Sequence, residues 1–166
     1  RMNILLCGGW DDDERDAWAE ALRAGLAPRD RLLLQRGEVD DAQIDAAIVA
    51  NPPPGSLAGL PKLRLIQSLW AGVDRLLQDD TLPTNVPIAR MVDPAMNAAM
   101  AETALWAVLS LHRGFFDYAQ QQRDGHWRQS PQALADEVPV LVLGFGQMGR
   151  AAAQGLAQLG YPVSAW

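Results

Sequence analysis

Val138–Gly149 reads VPVLVLGFGQMG, and this stretch decides the fold of the second part of the chain. Its first half, Val138–Leu143, is an apolar run rich in Val and Leu, which is typical of a strand buried on both faces of a parallel sheet. Three glycines follow in the spacing Gly-x-Gly-x-x-Gly and open a predicted helix over Arg150–Leu159. The pattern therefore predicts a Rossmann unit that binds the pyrophosphate of a dinucleotide at the positive end of that helix.

The three glycines of this loop have separate physical roles. Gly144 permits the tight turn, Gly146 lets backbone amides approach the pyrophosphate, and Gly149 lets the helix pack closely on the strand. The predicted cofactor-binding residues of the loop are Gly144, Phe145, Gly146, Gln147, Met148 and Gly149.

Downstream of the helix, Pro162–Trp166 predicts the second strand of the same unit. An acidic residue that selects NAD, or an Arg that selects NADP, is expected about 20 residues after the glycine motif, at the end of that strand. Trp166 still lies inside the strand, so the choice between NAD and NADP stays open. A dinucleotide fold needs two βαβ halves and this stretch supplies one. We therefore expect the chain to be the N-terminal part of a longer protein.

Upstream of the glycine motif, a long helix begins at Pro94 with Asp93 as its cap. Its apolar residues share one face and continue on the other side, which predicts a helix that is buried most of the way round and runs to about Gly125. We place a domain boundary here. The predicted domains are residues 1–92 and residues 93–166, the second of which contains this crossing helix and the first βαβ part of the dinucleotide-binding domain.

The first 92 residues alternate short apolar runs with amphipathic segments, which is the pattern of an α/β layered fold. Asp11–Asp13 can cap the first helix, which Gly25 and Pro28 end. The predicted strands are Asn3–Cys7, Arg31–Gln35, Ala46–Ala50, Arg64–Leu69 and Ile88–Met91.

Composition excludes several classes of function. The chain is 49% hydrophobic and 20% charged, which is the balance of a soluble globular protein. Its net charge of -6 leaves no overall basic field for nucleic acid or an anionic membrane. The apolar stretch Thr103–Leu111 is too short to span a bilayer. Cys7 is the only cysteine, so no internal disulfide can form, and we predict a reducing, cytoplasmic location.

Several short motifs together indicate a known family. The chain resembles the D-2-hydroxyacid dehydrogenases, and within them the glyoxylate/hydroxypyruvate reductase A type. The residues that carry the resemblance are Ser68–Asp74 (SLWAGVD), Met100–Thr103 (MAET), His112-Arg113, Asp117-Tyr118, His126-Trp127, Gly144–Gly149 and Pro162–Trp166. The resemblance covers nearly all of this chain and the first half of a family member.

The resemblance implies a fold and a reaction. It implies a flavodoxin-like substrate domain over residues 1–92, followed by the start of a Rossmann domain. It also implies NAD- or NADP-dependent reduction of a small 2-oxo acid, such as glyoxylate or hydroxypyruvate, in a homodimer. The catalytic Arg, Glu and His of the family lie beyond residue 166, so no catalytic residue is expected in this chain. His112, His126 and Glu102 are interpreted as structural residues rather than as substitutes.

The resemblance also implies binding residues. Backbone amides of the loop Trp70, Ala71, Gly72 and Val73 would bind the substrate carboxylate, and Gly72 permits the close approach that this requires. Asn51 matches a position near the mouth of the substrate cleft. Ala50 stands where some relatives carry a bulky aromatic residue, which leaves the size of the substrate open. Met100 and Thr103 would approach the nicotinamide from the crossing helix.

Two other classes of protein share features with this sequence. A phosphorylated receiver domain also has an acidic cluster after its first strand, but it needs an Asp at the end of strand three, where this chain has Asn51-Pro52-Pro53. It needs a late lysine as well, and Lys62 comes too early, so we discount this class. A non-catalytic relative that binds a dinucleotide as a regulatory ligand stays open as the alternative.

Overall fold

The computed structural model describes residues 1–166 as two compact units, Arg1–Val92 and Asp93–Trp166. Each unit has a parallel sheet and helices of its own. None of the helices is both long and apolar enough to cross a membrane.

The first unit contains a five-stranded parallel sheet. Its strand order is β2-β1-β3-β4-β5, which is the flavodoxin-like order of doubly wound sheets. The predicted flavodoxin-like fold is therefore confirmed. The strands are β1 (Asn3–Gly8), β2 (Arg31–Leu33), β3 (Ala46–Ala50), β4 (Leu65–Ser68) and β5 (Ile88–Ala89).

Apolar side chains bury both faces of this sheet, because each strand points alternate residues to opposite sides. Leu5, Val49 and Ile66 belong to one buried cluster, and Ile4 and Leu6 belong to another. The second cluster includes Ala19 of helix α1 (Asp12–Gly25). As predicted, Asp11 caps this helix, since its carboxylate accepts from the Glu14 amide at 2.8 Å.

The strand β2 is shorter than predicted because an acidic side chain accepts hydrogen bonds from the two amides that follow it. Leu34 and Gln35 donate to the Glu38 carboxylate at 2.7 and 3.1 Å instead of to a neighbouring strand. The ladder of β2 therefore ends at Leu33 and not at Gln35.

The second unit contains three longer helices and a two-stranded parallel sheet. Asp93 caps the helix α3 (Pro94–His112) as predicted, and its side chain accepts from the Ala95 amide at 2.9 Å. The first unit ends with a four-residue helix, α2 (Asp74–Leu77), and the short strand β5. The elements of the second unit follow in the order α3 (Pro94–His112), α4 (Phe115–Arg123), β6 (Val140–Val142), α5 (Gln147–Gln158) and β7 (Val163–Ala165).

The predicted continuous helix to about Gly125 is wrong. Gly114 lies in the left-handed region with φ of 65°, so the backbone turns there and a separate helix, α4, begins at Phe115. A left-handed residue cannot continue a right-handed helix, and glycine adopts it without steric cost.

One prediction of burial is also wrong for this chain. The helix α3 is not buried most of the way round, because Trp106 and Leu111 expose 61% and 71% of their surface. In β6 and just after it, Leu141 and Leu143 expose 60% and 74%. The sheet of this unit has only two strands, so too little structure covers its faces and the outer side of α3.

Candidate functional site

The first group of predicted site residues lies at the carboxyl ends of β3 and β4. Asn51 follows β3 directly and adopts φ of 45°, in the left-handed region. The loop after β1 approaches it closely, since the Gly9 amide donates to the Ala50 carbonyl at 3.1 Å. A Cβ atom on Gly9 would lie 3.2 Å from the Asn51 carbonyl oxygen. Neighbouring backbone therefore holds Asn51 at the strand end where open α/β sheets bind ligands.

The predicted substrate loop Trp70–Val73 leaves β4 beside a buried hydroxyl. Ser68 is 3% exposed, and its Oγ accepts from the Trp70 amide at 3.0 Å. The Trp70 ring meets the Trp18 ring edge-to-face, with 6.5 Å between the ring centroids. The start of the loop is therefore held by a hydrogen bond on its backbone and by an aromatic contact on its side chain.

The rest of this loop presents unbonded amides. The N–H groups of Ala71, Gly72 and Val73 donate to no acceptor in the structure. Gly72 is exposed. Three successive free amides supply hydrogen-bond donors that an anion can accept from. The geometry agrees with the predicted role for this loop, which stays a prediction.

The second group of predicted site residues is the glycine-rich loop between β6 and α5. Gly144 has φ of 92°, and its amide donates to the Trp166 carbonyl at 2.8 Å, which closes the turn against β7. A Cβ atom on Gly149 would overlap the Gly144 carbonyl oxygen and lie 3.3 Å from Val142 Cγ1. The structure therefore requires glycine at these two positions for the reasons that the sequence indicated.

Gly146 needs a different explanation. Its φ of -76° suits any residue, and a Cβ atom there would meet nothing within 4 Å. No protein contact therefore demands glycine at this position. A ligand that lies against the backbone at the start of α5 would demand it.

The charge around this loop is positive. Gly146 is the N-cap of the twelve-residue helix α5, whose first amides lack intrahelical partners and carry the positive end of the helix dipole. Arg150 lies in the first turn with its guanidinium carbon 5.5 Å from the centre of the Phe145 ring. Phe145 and Gln147 are exposed and Met148 is half-buried. Sequence reasoning omitted Arg150, although its position one residue after the motif was a usable signal.

The two predicted nicotinamide-side residues lie on α3. Met100 is 44% exposed and Thr103 is also exposed. They share a helix face because they are three residues apart. The Thr103 hydroxyl donates to the Ala99 carbonyl at 2.9 Å, within its own helix. No hydrogen bond connects either residue to the glycine-rich loop, and their role stays a prediction.

The two histidines have different surroundings. The His112 ring lies between the Tyr161 hydroxyl, 2.6 Å from Nδ1, and the Ala133 carbonyl, 2.9 Å from Nε2. Both ring nitrogens are thus used within the second unit, which fits a structural residue. His126 is exposed, and so is Glu102, which forms none of the ion pairs of the structure. No group of three or more potential metal ligands occurs.

A separate cavity of about 360 Å³ lies at the ends of β1 and β2. Burial raises the pKa of its Cys7 thiol, which keeps the sulfur protonated and unreactive at neutral pH. Its two arginines already have carboxylate partners, since Arg15 pairs with Asp12 and Asp16 and Arg36 pairs with Asp41. The cavity therefore offers no unpaired positive charge to a ligand.

Comparison with known proteins supports the predicted resemblance. Residues 105–166 match the model of the "D-isomer specific 2-hydroxyacid dehydrogenase, NAD binding domain" family. Together with the flavodoxin-like first unit and the glycine-rich loop, this match confirms the predicted resemblance to the D-isomer specific 2-hydroxyacid dehydrogenases.

A curated relative matches most of this chain. The chain is 35% identical over 159 residues to "Glyoxylate/hydroxypyruvate reductase A" of Serratia proteamaculans, and the match covers 89% of this chain and 50% of the relative. It therefore spans about half the length of that curated relative.

Solved structures agree with this comparison. A D-isomer specific 2-hydroxyacid dehydrogenase from Xanthobacter autotrophicus Py2, in complex with NADPH and MES, is 35% identical with a TM-score of 0.86. That match covers 99% of this chain and 53% of the other. An NADPH-dependent glyoxylate/hydroxypyruvate reductase from Sinorhizobium meliloti, in complex with NADP and sulfate, is 29% identical with a TM-score of 0.81. In that case the match covers 100% of this chain and 52% of the other.

Proposed function

We propose that the whole protein reduces a small 2-oxo acid, such as glyoxylate or hydroxypyruvate, to the 2-hydroxy acid with NADH or NADPH. The observation that carries the proposal is that one chain contains two sites with free backbone N–H groups. One is the row of free amides at Ala71, Gly72 and Val73, and the other is the Gly146 loop at the start of α5. The similarity to a glyoxylate/hydroxypyruvate reductase A supports it.

Each unit has its own task in this proposal. Residues 1–92 are the substrate domain, where the amides of the Trp70–Val73 loop bind the carboxylate and Asn51 lines the mouth of the cleft. Residues 93–166 begin the dinucleotide-binding domain, where the Gly144–Gly149 loop binds the pyrophosphate and Met100 and Thr103 face the nicotinamide. The cofactor supplies hydride to the substrate carbonyl carbon. The group that protonates the carbonyl oxygen lies outside this chain.

The relatives favour NADPH over NADH. Two solved relatives hold NADPH or NADP, and one is named as an NADPH-dependent enzyme.

Gly146→Val in the whole protein tests the proposal. The branched side chain would occupy the space where the backbone must approach the pyrophosphate, so we expect loss of NADPH binding by at least about 100-fold with the fold intact. Gly25→Val is the matched control, because Gly25 also has open space around its Cβ position and lies in the first unit. Calorimetry with NADPH and a spectrophotometric assay with glyoxylate give the two readouts.

The outcomes separate the candidate functions. Unchanged NADPH affinity in Gly146→Val would contradict the predicted cofactor site. Tight NADPH binding by the wild type without turnover of any 2-oxo acid would favour the regulatory relative, which binds a dinucleotide without catalysis.

We propose further that the whole protein is a cytoplasmic homodimer. The support is an exposed aromatic surface on α3 and α4, where Trp106 and Phe116 meet edge-to-face at 6.1 Å and are 61% and 53% exposed. Such a contiguous apolar surface is typical of an interface. Sedimentation of the whole protein should give twice the monomer mass, and Trp106→Glu should halve it. A monomeric wild type would contradict the proposal.

A further inference from the structure

The carbonyl groups of the substrate loop are bound from one side by the segment that follows β5. The Met91 amide donates to the Trp70 carbonyl at 3.2 Å. The Arg90 guanidinium donates from Nη1 to the Ala71 carbonyl at 3.1 Å. Two consecutive peptide groups of the loop are therefore held through their oxygen atoms.

This arrangement fixes the direction of the amides. In a planar trans peptide the N–H group points opposite to the C=O group of the same unit. The Trp70 carbonyl shares its peptide with the Ala71 amide, and the Ala71 carbonyl shares its peptide with the Gly72 amide. Holding both carbonyls toward residues 90–91 therefore turns both amides to the opposite side, where they are free.

A charged donor also strengthens the amides that it positions. Hydrogen bonds in a chain polarise one another, so a guanidinium on the Ala71 carbonyl makes the Gly72 N–H a better donor to an anion. Arg90 takes part in none of the ion pairs of the structure. Its charge is thus not neutralised by a carboxylate, in contrast to that of Arg36, which pairs with Asp41.

We propose that Arg90 is a positioning residue for substrate binding. It holds and polarises the Ala71–Gly72 peptide, so that the amides of Ala71 and Gly72 receive the substrate carboxylate without reorganisation. The proposal rests on the function proposed above, because it takes the carboxylate of a 2-oxo acid as the ligand. Arg90 itself need not touch the substrate.

The test compares three variants of the whole protein. Arg90→Met removes the charge and the donor but keeps an unbranched side chain. Arg90→Lys keeps the charge and one donor, and Arg75→Met removes a neighbouring positive charge that donates to no loop carbonyl. We expect Arg90→Met to raise the KM for glyoxylate and the Kd for oxalate about tenfold, or about 1.4 kcal/mol.

The pattern of the other constants distinguishes positioning from damage to the fold. An interaction made equally in the ground state and the transition state changes KM and leaves kcat nearly unchanged. We therefore expect kcat and the KM for NADPH to stay within about threefold of the wild type. Arg90→Lys should recover part of the loss, and Arg75→Met should match the wild type. An unchanged KM and Kd in Arg90→Met would overturn the proposal and leave the proposed function standing.

A second measurement tests the role of Arg90 without relying on substrate binding. The Leu69 and Trp70 amides donate to the Val49 carbonyl and to Ser68 Oγ, so they report on whether the loop is held. We expect their hydrogen exchange, read on peptides that span residues 66–74, to be several times faster in Arg90→Met than in Arg75→Met. If the wild type binds no 2-oxo acid, the proposed function fails, and equal exchange in the two variants would then overturn the role of Arg90 as well.

Discussion

The two units of this chain differ in how completely they bury their own apolar residues. In the first, both faces of a five-stranded sheet are covered, and residues such as Leu5, Val49 and Ile66 expose 2% or less. In the second, only Ala153, Leu156 and Tyr161 are buried apolar residues, while Leu141 and Leu143 are mostly exposed. Hydrophobic stabilisation scales with the apolar area removed from water. The first unit therefore has its own source of stability, and the second, over the residues spanned here, has much less.

The difference extends to the two candidate sites. The loop Trp70–Val73 of the first unit is fixed by Ser68, by residues 90–91 and by the Trp18 ring. The glycine-rich loop of the second unit is closed by the pairing of Gly144 with Trp166, on a strand pair with no further neighbours. A preorganised site needs support from packed structure around it. We therefore expect the substrate loop to keep its geometry in isolation better than the cofactor loop.

Separating the units should give the largest effect. Residues 1–92 expressed alone should fold cooperatively, since their core contacts lie within that range. Residues 93–166 expressed alone should fail to show a cooperative transition, because a two-stranded sheet with exposed leucines is marginal in water. Circular dichroism during urea denaturation checks both pieces.

Either of two results would contradict the difference in stability that we infer between the two units. A cooperative transition for residues 93–166 would show that the exposed apolar surface costs less than argued. The absence of one for residues 1–92 would show that its buried clusters do not suffice on their own. A full set of amide exchange rates on each piece would then locate the missing stability.

Much of the fold could be predicted because its signals are local. The apolar run Ala46–Ala50 gave β3 with the predicted bounds, and Asp11 and Asp93 cap the helices that they were expected to cap. The roles of Gly144 and Gly149 follow from close approaches that any strand–turn–helix of this kind contains. These features depend on a few neighbouring residues, which the sequence shows directly.

The sequence-based predictions fail where the outcome depends on residues that are distant in the sequence or on structure outside the segment. The apolar composition of α3 predicts a buried helix, but burial depends on what covers the helix, and periodicity does not report that. The break at Gly114 was missed because a glycine inside an apolar helical pattern is often tolerated. Arg90 and Ser68 were missed as supports of the substrate loop because their contacts, 19 and two residues away, leave no pattern in the sequence.

A smaller effect, and a sharper test, comes from one leucine in each unit. Leu33 and Leu141 both lie in three-residue parallel strands, β2 and β6, and expose 0% and 60% of their surface. Leu33→Ala should destabilise the first unit by about 3 kcal/mol, since it removes buried methyl groups and leaves a cavity. Leu141→Ala should change stability by less than about 1 kcal/mol, because most of the side chain already contacts water. Urea denaturation of the 166-residue chain, followed by hydrogen exchange on peptides of each unit, measures both changes. Equal losses in the two variants would mean that a second copy of the chain covers Leu141 in solution, and would contradict the difference in burial between the two units.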